Sequence, residues 1–201
     1  FFTRAFDYGF SKSADEAFAH WPREEVLRDV VTVIRTYRPQ VIISVWAGTP
    51  RDGHGQHQAS GILANEAFDA AADPARFRDL DGIAAEPWIV DKLYHSDRFR
   101  GPGSAEGALT TQTGTFDPLL GRSYHLLAME RRSMHRSQEM GAEPPLGDRT
   151  TGIRLVQSRV GGIESDTGIF AGIDTTLAGL VDRLPAAAGV PHLCKSSRCR
   201  D

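Results

Sequence analysis

Two histidines three positions apart are the clearest chemical feature of this sequence. His54 and His57 lie in the run Gly53-His54-Gly55-Gln56-His57. Residues at positions i and i+3 face the same side of a helical turn, so the two imidazoles can point at one ligand. Neutral imidazole is the commonest metal ligand in proteins, and the flanking glycines allow a ligand to approach the backbone closely. The spacing therefore predicts half of a metal site or a pair of groups that stabilise one oxyanion.

The segments around this pair predict its place in the fold. Residues 41–46 form an apolar run typical of a strand, and residues 59–70 carry apolar side chains at the helical period. Open α/β sheets bind their ligands at the carboxyl ends of strands, which is where the histidines fall. The order of strand, glycine-flanked histidines and helix favours a functional role. The alternative is that both histidines are solvated loop residues with a capping role.

A catalytic zinc usually has three protein ligands and one position for water. Two histidines are too few, and Asp52 is the nearest local candidate for another polar contact, either with a metal or with a substrate. The remaining ligands must come from elsewhere.

Several segments resemble one family of enzymes. Residues 38–43, with the sequence Arg-Pro-Gln-Val-Ile-Ile, and residues 53–59, with Gly-His-Gly-Gln-His-Gln-Ala, resemble the LmbE-like or PIG-L deacetylases. The pattern of that family is Arg-Pro-Asp-x-Val, a loop, and Gly-His-x-x-His-x-Ala. Residues 2–9 and residues 134–138, which are similar to the family's His-x-Ser-Gln helix, extend the resemblance over most of the chain. Family members are zinc-dependent enzymes that remove acetyl groups from N-acetylglucosamine-type amino sugars.

The resemblance implies roles for individual residues. It implies that His57 is a zinc ligand and that His54 stabilises the oxyanion or acts as an acid. Asp7 best matches an aspartate that touches the substrate sugar in some members. His135, in the segment similar to His-x-Ser-Gln, is implied to line the site; the alternative is a structural histidine paired with a carbonyl group.

The sequence also departs from the family. The other metal ligands and the general base of the family lie in a His-Pro-Asp-Asp motif, which this sequence lacks. Residues 95–97, His-Ser-Asp, follow the histidine pair and lack the proline, so they do not replace that motif. Because the chain begins at Phe1, we interpret it as a fragment without the first βα unit. We expect a zinc-dependent deacetylase of N-acetylated amino sugars or their conjugates that is inactive as this fragment. The alternative is a non-catalytic carbohydrate-binding or interaction module with the same fold.

Composition limits the other classes of function. The chain has 201 residues, of which 40% are hydrophobic, so it can bury a core, and we predict one domain over residues 1–185. Its net charge is −3 and it has no basic stripe, which argues against a nucleic-acid partner. No apolar run reaches transmembrane length, and no signal peptide is visible, although the start at Phe1 leaves both the cytoplasm and export open. A dinucleotide-binding protein is not favoured, because no Gly-x-Gly-x-x-Gly follows a strand. Residues 186–201 are predicted to be a disordered tail, and Cys194 and Cys199 within it receive no role.

The expected partner is therefore a small amino-sugar substrate, and self-association into a homo-oligomer stays open. Periodicity and turn residues predict alternating elements, which together indicate an α/β fold. We predict a layered Rossmann-like open sheet with flanking helices, incomplete at the N-terminus. The further elements are helix 24–37, strand 88–94, loop 110–121, helix 123–140, strand 152–160 and helix 174–184 capped by Asp174.

Overall fold

The computed structural model describes residues 1–97, 109–135, 147–161 and 166–183. They belong to two compact units, the first comprising Phe1–His95 and Leu155–Asp201 and the second Ser96–Arg154. Both histidines of the pair lie in the first unit. The predicted tail, residues 186–201, lies outside the described residues.

The described helices and strands alternate along much of the chain. The helices are α1 (Ala14–His20), α2 (Arg23–Tyr37), α3 (Gly55–Ala70), α4 (Tyr124–Arg132) and α5 (Leu177–Arg183), and the strands are β1 (Val41–Ser44), β2 (Lys92–Ser96), β3 (Leu109–Gln112), β4 (Phe116–Asp117), β5 (Arg122–Ser123) and β6 (Thr150–Ser158). The fold class is therefore α/β, as predicted.

The sheet contains both parallel and antiparallel pairs. In the first unit β1 and β2 are parallel, with Ser44 opposite His95, and β2 lies between β1 and β6. In the second unit β3 pairs antiparallel with Thr150–Ile153 of β6, and β4 pairs antiparallel with β5. The connection between β1 and β2 contains α3, as a parallel crossover requires. The carboxyl ends of β1 and β2 consequently lie at one edge of the sheet.

An apolar core holds α2 and α3 against β2. Its buried members are Val26, Leu27, Val31, Ile34, Leu63, Ala67, Phe68, Ala70, Ala71, Trp88, Val90 and Leu93. The core includes Val26 and Ile34 of α2, whereas Tyr37 at the end of this helix is exposed. Burial of these side chains fixes α3, and with it the histidine pair at its beginning.

A buried arginine joins α2 to the end of α3. The Arg35 guanidinium donates to the carbonyl oxygens of Ala71, Ala70, Asp73, Arg76 and Phe77 at 2.8–3.4 Å. A cation at the carboxyl end of a helix complements the partial negative charge of the last carbonyls. Burial nevertheless lowers the pKa of Arg35 below its ordinary value.

Helix α2 ends just before Pro39. The helix ends at Tyr37, as expected from Pro39, but Arg38 adopts the left-handed conformation with φ of 57° and ψ of 52°. Proline disfavours the right-handed α conformation in the residue before it. The left-handed conformation also satisfies that restriction, and it lets Arg38 N donate to Ile34 O at 2.8 Å.

Other predicted boundaries differ from the structure. Residues 110–121 were expected to be a loop, but they contain most of β3 and all of β4. The strand predicted at 88–94 begins only at Lys92, because Trp88 N donates to Ala71 O and Asp91 N to Gln40 O. Asp174 does not begin α5, which starts at Leu177. No helix in the described parts of the chain is long and apolar enough to cross a membrane.

Candidate functional site

The loop after β1 is organised around the carboxylate of Asp52. Its oxygens accept hydrogen bonds from the backbone N–H groups of Gly48 and Thr49, both at 2.7 Å, and of Ala47 at 3.2 Å. Thr49 and Asp52 also form a capping box around the 3-10 turn Pro50–Asp52. Charge-assisted bonds of this kind are among the stronger ones in proteins. The Asp52 backbone is therefore held in place just before the histidines.

This backbone orients His57. The Nδ1 atom of His57 lies 2.9 Å from the carbonyl oxygen of Asp52. A carbonyl oxygen can only accept, so Nδ1 carries the proton and donates it. In the neutral ring the lone pair is then on Nε2. The same arrangement, with one ring nitrogen bound to a carbonyl, is usual for histidines that ligate metals.

The two histidine rings lie against each other. The centroids of His54 and His57 are 3.7 Å apart with an interplanar angle of 33°, and the Trp46 ring stacks on His57 at 3.5 Å and 15°. Trp46 is the second residue after the carboxyl end of β1, which ends at Ser44. The structure thus brings together the side chains that the i, i+3 spacing predicted to converge.

His54 differs from His57 in its polar contacts. It is the N-cap residue of α3, with extended backbone angles, and its carbonyl accepts from His57 N and Gln58 N. Its Nδ1 atom is buried, yet no described residue forms a hydrogen bond with it. The Phe10 ring approaches it edge-on, with centroids 6.1 Å apart. A buried polar atom without a partner is unusual and is often found at functional sites.

The N-terminal segment forms one side of the site. Hydrogen bonds to the start of α3 fix this segment. Gly55 N donates to Ser11 O at 2.8 Å, Ser11 Oγ donates to Gln56 Oε1 at 2.8 Å, and Gln56 Nε2 donates to Gly9 O. Gln58 Nε2 donates to Lys12 O at 3.2 Å, and Gln58 Oε1 accepts from Ala14 N at 3.3 Å. A Cβ atom at Gly55 would lie 2.0 Å from Ser13 O. Glycine at 55 was expected to admit a ligand, but here it admits the protein's own backbone.

A second histidine-containing contact supports the same loop from β2. His95 Nε2 lies 3.1 Å from Asn65 Oδ1, and Asn65 Nδ2 donates to Ala47 O at 3.1 Å and to Gly61 O at 2.8 Å. Because Nδ2 bonds to carbonyls, Oδ1 must be the acceptor, and His95 Nε2 donates to it. The end of β2 is thus connected through Asn65 on α3 to the loop that Asp52 organises.

Three other residues were predicted to contact the substrate, and the structure describes each of them. Asp7 is exposed, and its carboxylate accepts from Gly9 N at 3.2 Å. His135 is exposed in the second unit and was predicted inside a helix, which is wrong, because α4 ends at Arg132. Asp52 has a structural task in its loop. Substrate contacts for Asp7, Asp52 and His135 stay predictions.

Four residues of the site were not singled out from the sequence. Phe10 and Trp46 contact the histidine rings, Gln58 donates to Gly53 O beside His54, and Gln56 binds the N-terminal segment at Gly9 O. Gln56 and Gln58 flank His57 in the motif itself, and this was the available signal. Nothing in the sequence indicated that both glutamines bind a segment more than forty residues earlier.

The described residues fit only part of a zinc site. His57 offers an imidazole whose Nδ1 is held by a carbonyl, and this is suitable ligand chemistry. However, within the described ranges no group of three or more His, Cys, Asp and Glu side chains is placed to hold a metal ion. A complete catalytic set therefore needs ligands in addition to those described.

Comparison with known proteins finds relatives that match part of the chain. The chain is 36% identical over 84 residues to 1D-myo-inositol 2-acetamido-2-deoxy-alpha-D-glucopyranoside deacetylase 2 of Saccharopolyspora erythraea, a match that covers 42% of this chain and 29% of the relative. The deacetylase with the same name in Geodermatophilus obscurus is 38% identical over 82 residues, covering 40% of this chain and 26% of that protein. Deacetylase 1 of Frankia alni is 37% identical over 67 residues, covering 33% and 22%.

The chain spans less than a third of the length of these curated relatives. No family model matches it, and no solved structure does. The relatives are named as deacetylases of an acetylated amino-sugar conjugate and are of the LmbE/PIG-L type. Over the matched part of its length, the chain is therefore similar to the LmbE/PIG-L deacetylases, which confirms the resemblance to that family.

Proposed function

We propose that this chain is part of a zinc-dependent deacetylase that removes the acetyl group from an N-acetylated amino sugar or its conjugate. The observation that carries the proposal is the pair of adjacent imidazoles, with centroids 3.7 Å apart, one of them oriented by the Asp52 carbonyl. The relatives named as amino-sugar-conjugate deacetylases support the substrate class. The parallel β1–α3–β2 unit supports a Rossmann-like frame around the site.

Each histidine has a separate task in this proposal. Bound zinc would supply a Lewis acid. His57 would hold it through Nε2, because Nδ1 donates to Asp52 O. His54, beside it at the N-terminus of α3, would donate a hydrogen bond to the oxyanion that forms when the amide carbonyl is attacked. The backbone dipole of the helix N-terminus favours the same negative charge.

A second function is favoured by one specific observation. Because the described residues include no cluster of three metal-binding side chains, a carbohydrate-binding or interaction module without a metal centre fits them as well. The two proposals share the sheet, the loop and the histidine pair. They differ in whether zinc binds and whether the amide is cleaved.

Zinc titration followed by calorimetry tests the metal part of the proposal. We expect the chain to bind zinc weakly, since one imidazole cannot supply three ligands. His57→Ala should abolish the binding, whereas His135→Ala, which removes an exposed histidine of the second unit, should leave it unchanged. Binding that survives His57→Ala would exclude His57 as the ligand. Tight stoichiometric binding that is lost in His57→Ala would mean that Asp52 and His54 complete a local site.

A longer protein that also carries the His-Pro-Asp-Asp motif would test the two roles separately. His57→Ala should remove the metal and abolish turnover. His54→Ala should keep the metal and lower kcat by roughly 100- to 1000-fold, as is typical when one oxyanion donor is lost. Metal analysis and steady-state kinetics on both variants measure this. Equal loss of metal in both would make His54 a second ligand instead.

A further inference from the structure

An exposed aromatic ring stands next to the histidine pair. The side chain of Phe10 is 74% exposed and forms an edge-on contact with His54, at 6.1 Å between centroids and 66° between planes. Full burial of a phenylalanine side chain is worth about 1.5–3 kcal/mol, so an aromatic left in water beside a polar site is a surface that a ligand can cover.

The position of Phe10 is set by hydrogen bonds on both sides of it. The carbonyl of Gly9 accepts from Gln56 Nε2, and the carbonyl of Ser11 accepts from Gly55 N at 2.8 Å. Ser11 itself is buried, and its hydroxyl lies between Gln56 Oε1 and Tyr8 OH. The two residues that flank Phe10 are thus bound to the two residues that follow His54. The ring is held in solvent beside His54 by the same contacts that build the site.

The chemistry of the ring indicates what would cover it. An aromatic face carries partial negative charge, and the C–H groups on one face of a pyranose ring present partial positive charge and apolar surface. An anion or a fully polar neutral ligand would gain little from this contact. A hexose ring resting on Phe10 would be placed next to the His54 imidazole, where the acetamido group has to lie for deacetylation.

We propose that Phe10 is a stacking surface for the sugar ring of the substrate and positions the acetamido group at His54. The class of ligand rests on the proposed function. The placement of the ring rests on the contacts of Phe10, Gln56 and Gly55.

The test uses binding to the full chain and does not depend on turnover. Methyl 2-acetamido-2-deoxy-α-D-glucopyranoside is titrated into the protein and followed by NMR, with the Phe10 and His54 ring signals as reporters. Phe10→Ala should weaken binding at least tenfold, while Phe10→Trp, which keeps a larger aromatic face, should bind at least as tightly as the original. Phe6→Ala is the matched control, because Phe6 is another exposed phenylalanine, at 55%, whose ring contacts Tyr8 and not His54.

A second probe separates the sugar from the amide. N-methylacetamide has the amide but no ring, so its affinity should be the same in the original chain and in Phe10→Ala. The inference is overturned if Phe10→Ala binds the glycoside like the original chain, if Phe6→Ala loses as much affinity, or if the original chain binds no glycoside.

Failure of the proposed function gives a different result. In that case the chain binds no zinc, and a longer protein that carries the His-Pro-Asp-Asp motif shows no deacetylation, while glycoside binding still depends on Phe10. The carbohydrate-binding alternative then applies. Zinc titration of Phe10→Ala completes the separation, since its zinc affinity should equal that of the original chain.

Discussion

Two polar clusters of the first unit differ in how completely their groups are partnered. On β2, the Lys92 ammonium donates to Asp166 Oδ1 at 2.7 Å and to Gly168 O at 3.1 Å, and Tyr94 OH donates to Asp166 Oδ2 at 2.8 Å. Lys92 and Tyr94 are almost fully buried. At the start of α3, by contrast, His54 Nδ1 is buried but has no hydrogen bond from a described residue.

The difference indicates different tasks for the two clusters. A lysine, a tyrosine and an aspartate in contact resemble a catalytic constellation, but each polar atom named above is bonded within the cluster or to a carbonyl. Such a closed network favours one packing arrangement and leaves little capacity for a substrate. The histidine cluster combines an oriented ring with one whose Nδ1 receives no hydrogen bond from a described residue, and that atom is available to a ligand. Substitutions in the two clusters should therefore affect different properties.

The largest effect should come from breaking the closed cluster. Lys92→Met leaves the buried Asp166 carboxylate without its cation and should reduce the free energy of unfolding by about 3–5 kcal/mol. Urea unfolding measures it. Arg23→Met, in an ion pair with Glu66 whose side chains are 53% and 30% exposed, is the control and should cost less than about 1 kcal/mol.

Adding Asp166→Asn to Lys92→Met removes the uncompensated charge and should restore part of the stability. A cost below about 1 kcal/mol for Lys92→Met alone would mean that the cluster is not a structural element, and the comparison with the histidines would fail.

Substitution of Asp52 tests whether the loop sets the orientation of His57. Asp52→Ala removes the acceptor of three backbone N–H groups and should destabilise the protein by about 2 kcal/mol, less than the buried pair because water can reach the loop. The Nδ1–H signal of His57 in a nitrogen-15 spectrum should shift or broaden as its partner carbonyl moves. Asp52→Asn keeps one acceptor oxygen and should give an intermediate result. Asp7→Ala, at an exposed aspartate in a similar local turn, is the control, and an unchanged His57 signal in Asp52→Ala would contradict the argument.

The sequence predicted the elements that depend on local periodicity. Helix α2, strand β1 and helix α3 lie where apolar spacing placed them, and the i, i+3 spacing brought His54 and His57 together. The edge strand β3 was missed because its residues are mostly polar and exposed, so no alternating pattern marks it.

Long-range contacts were beyond single-sequence reasoning. The contacts of Gln56 with Gly9 and Ser11 join residues 45 and 47 positions apart, and no local pattern encodes them. The strand predicted at 88–94 has the same limit. Trp88 is buried in the core, as its apolar side chain indicates, but its N–H donates to Ala71 O and not to a neighbouring strand. Burial and strand pairing are separate properties, and only the first can be read from hydropathy.

The two histidines should respond to the same substitution with opposite signs. His54→Phe keeps a ring between Phe10 and His57 but removes the unpartnered nitrogen, so stability should stay equal or rise by up to about 1 kcal/mol. His57→Phe loses the hydrogen bond to Asp52 O and should cost about 1 kcal/mol. Thermal and urea unfolding of both variants give the comparison. A clear loss of stability in His54→Phe would show that this nitrogen has a structural partner.

The smallest effect is a dependence on alkaline pH that belongs to the closed cluster alone. Burial, and next the hydrogen bond to Asp166, raise the pKa of Tyr94 above its ordinary value. The stability that this shift provides is fully present below the ordinary tyrosine pKa of about 10 and is lost as pH rises toward the higher folded value, because the unfolded chain ionises first. Between pH 8 and 10.5 the original chain should therefore lose about 0.8 kcal/mol that Tyr94→Phe does not lose. Tyr37→Phe, at a 71% exposed tyrosine, should follow the original chain across this range. If Tyr94→Phe also followed it, the hydroxyl would be titrating in the folded protein as it does in water, and the Lys92, Tyr94 and Asp166 cluster would have to be open to solvent.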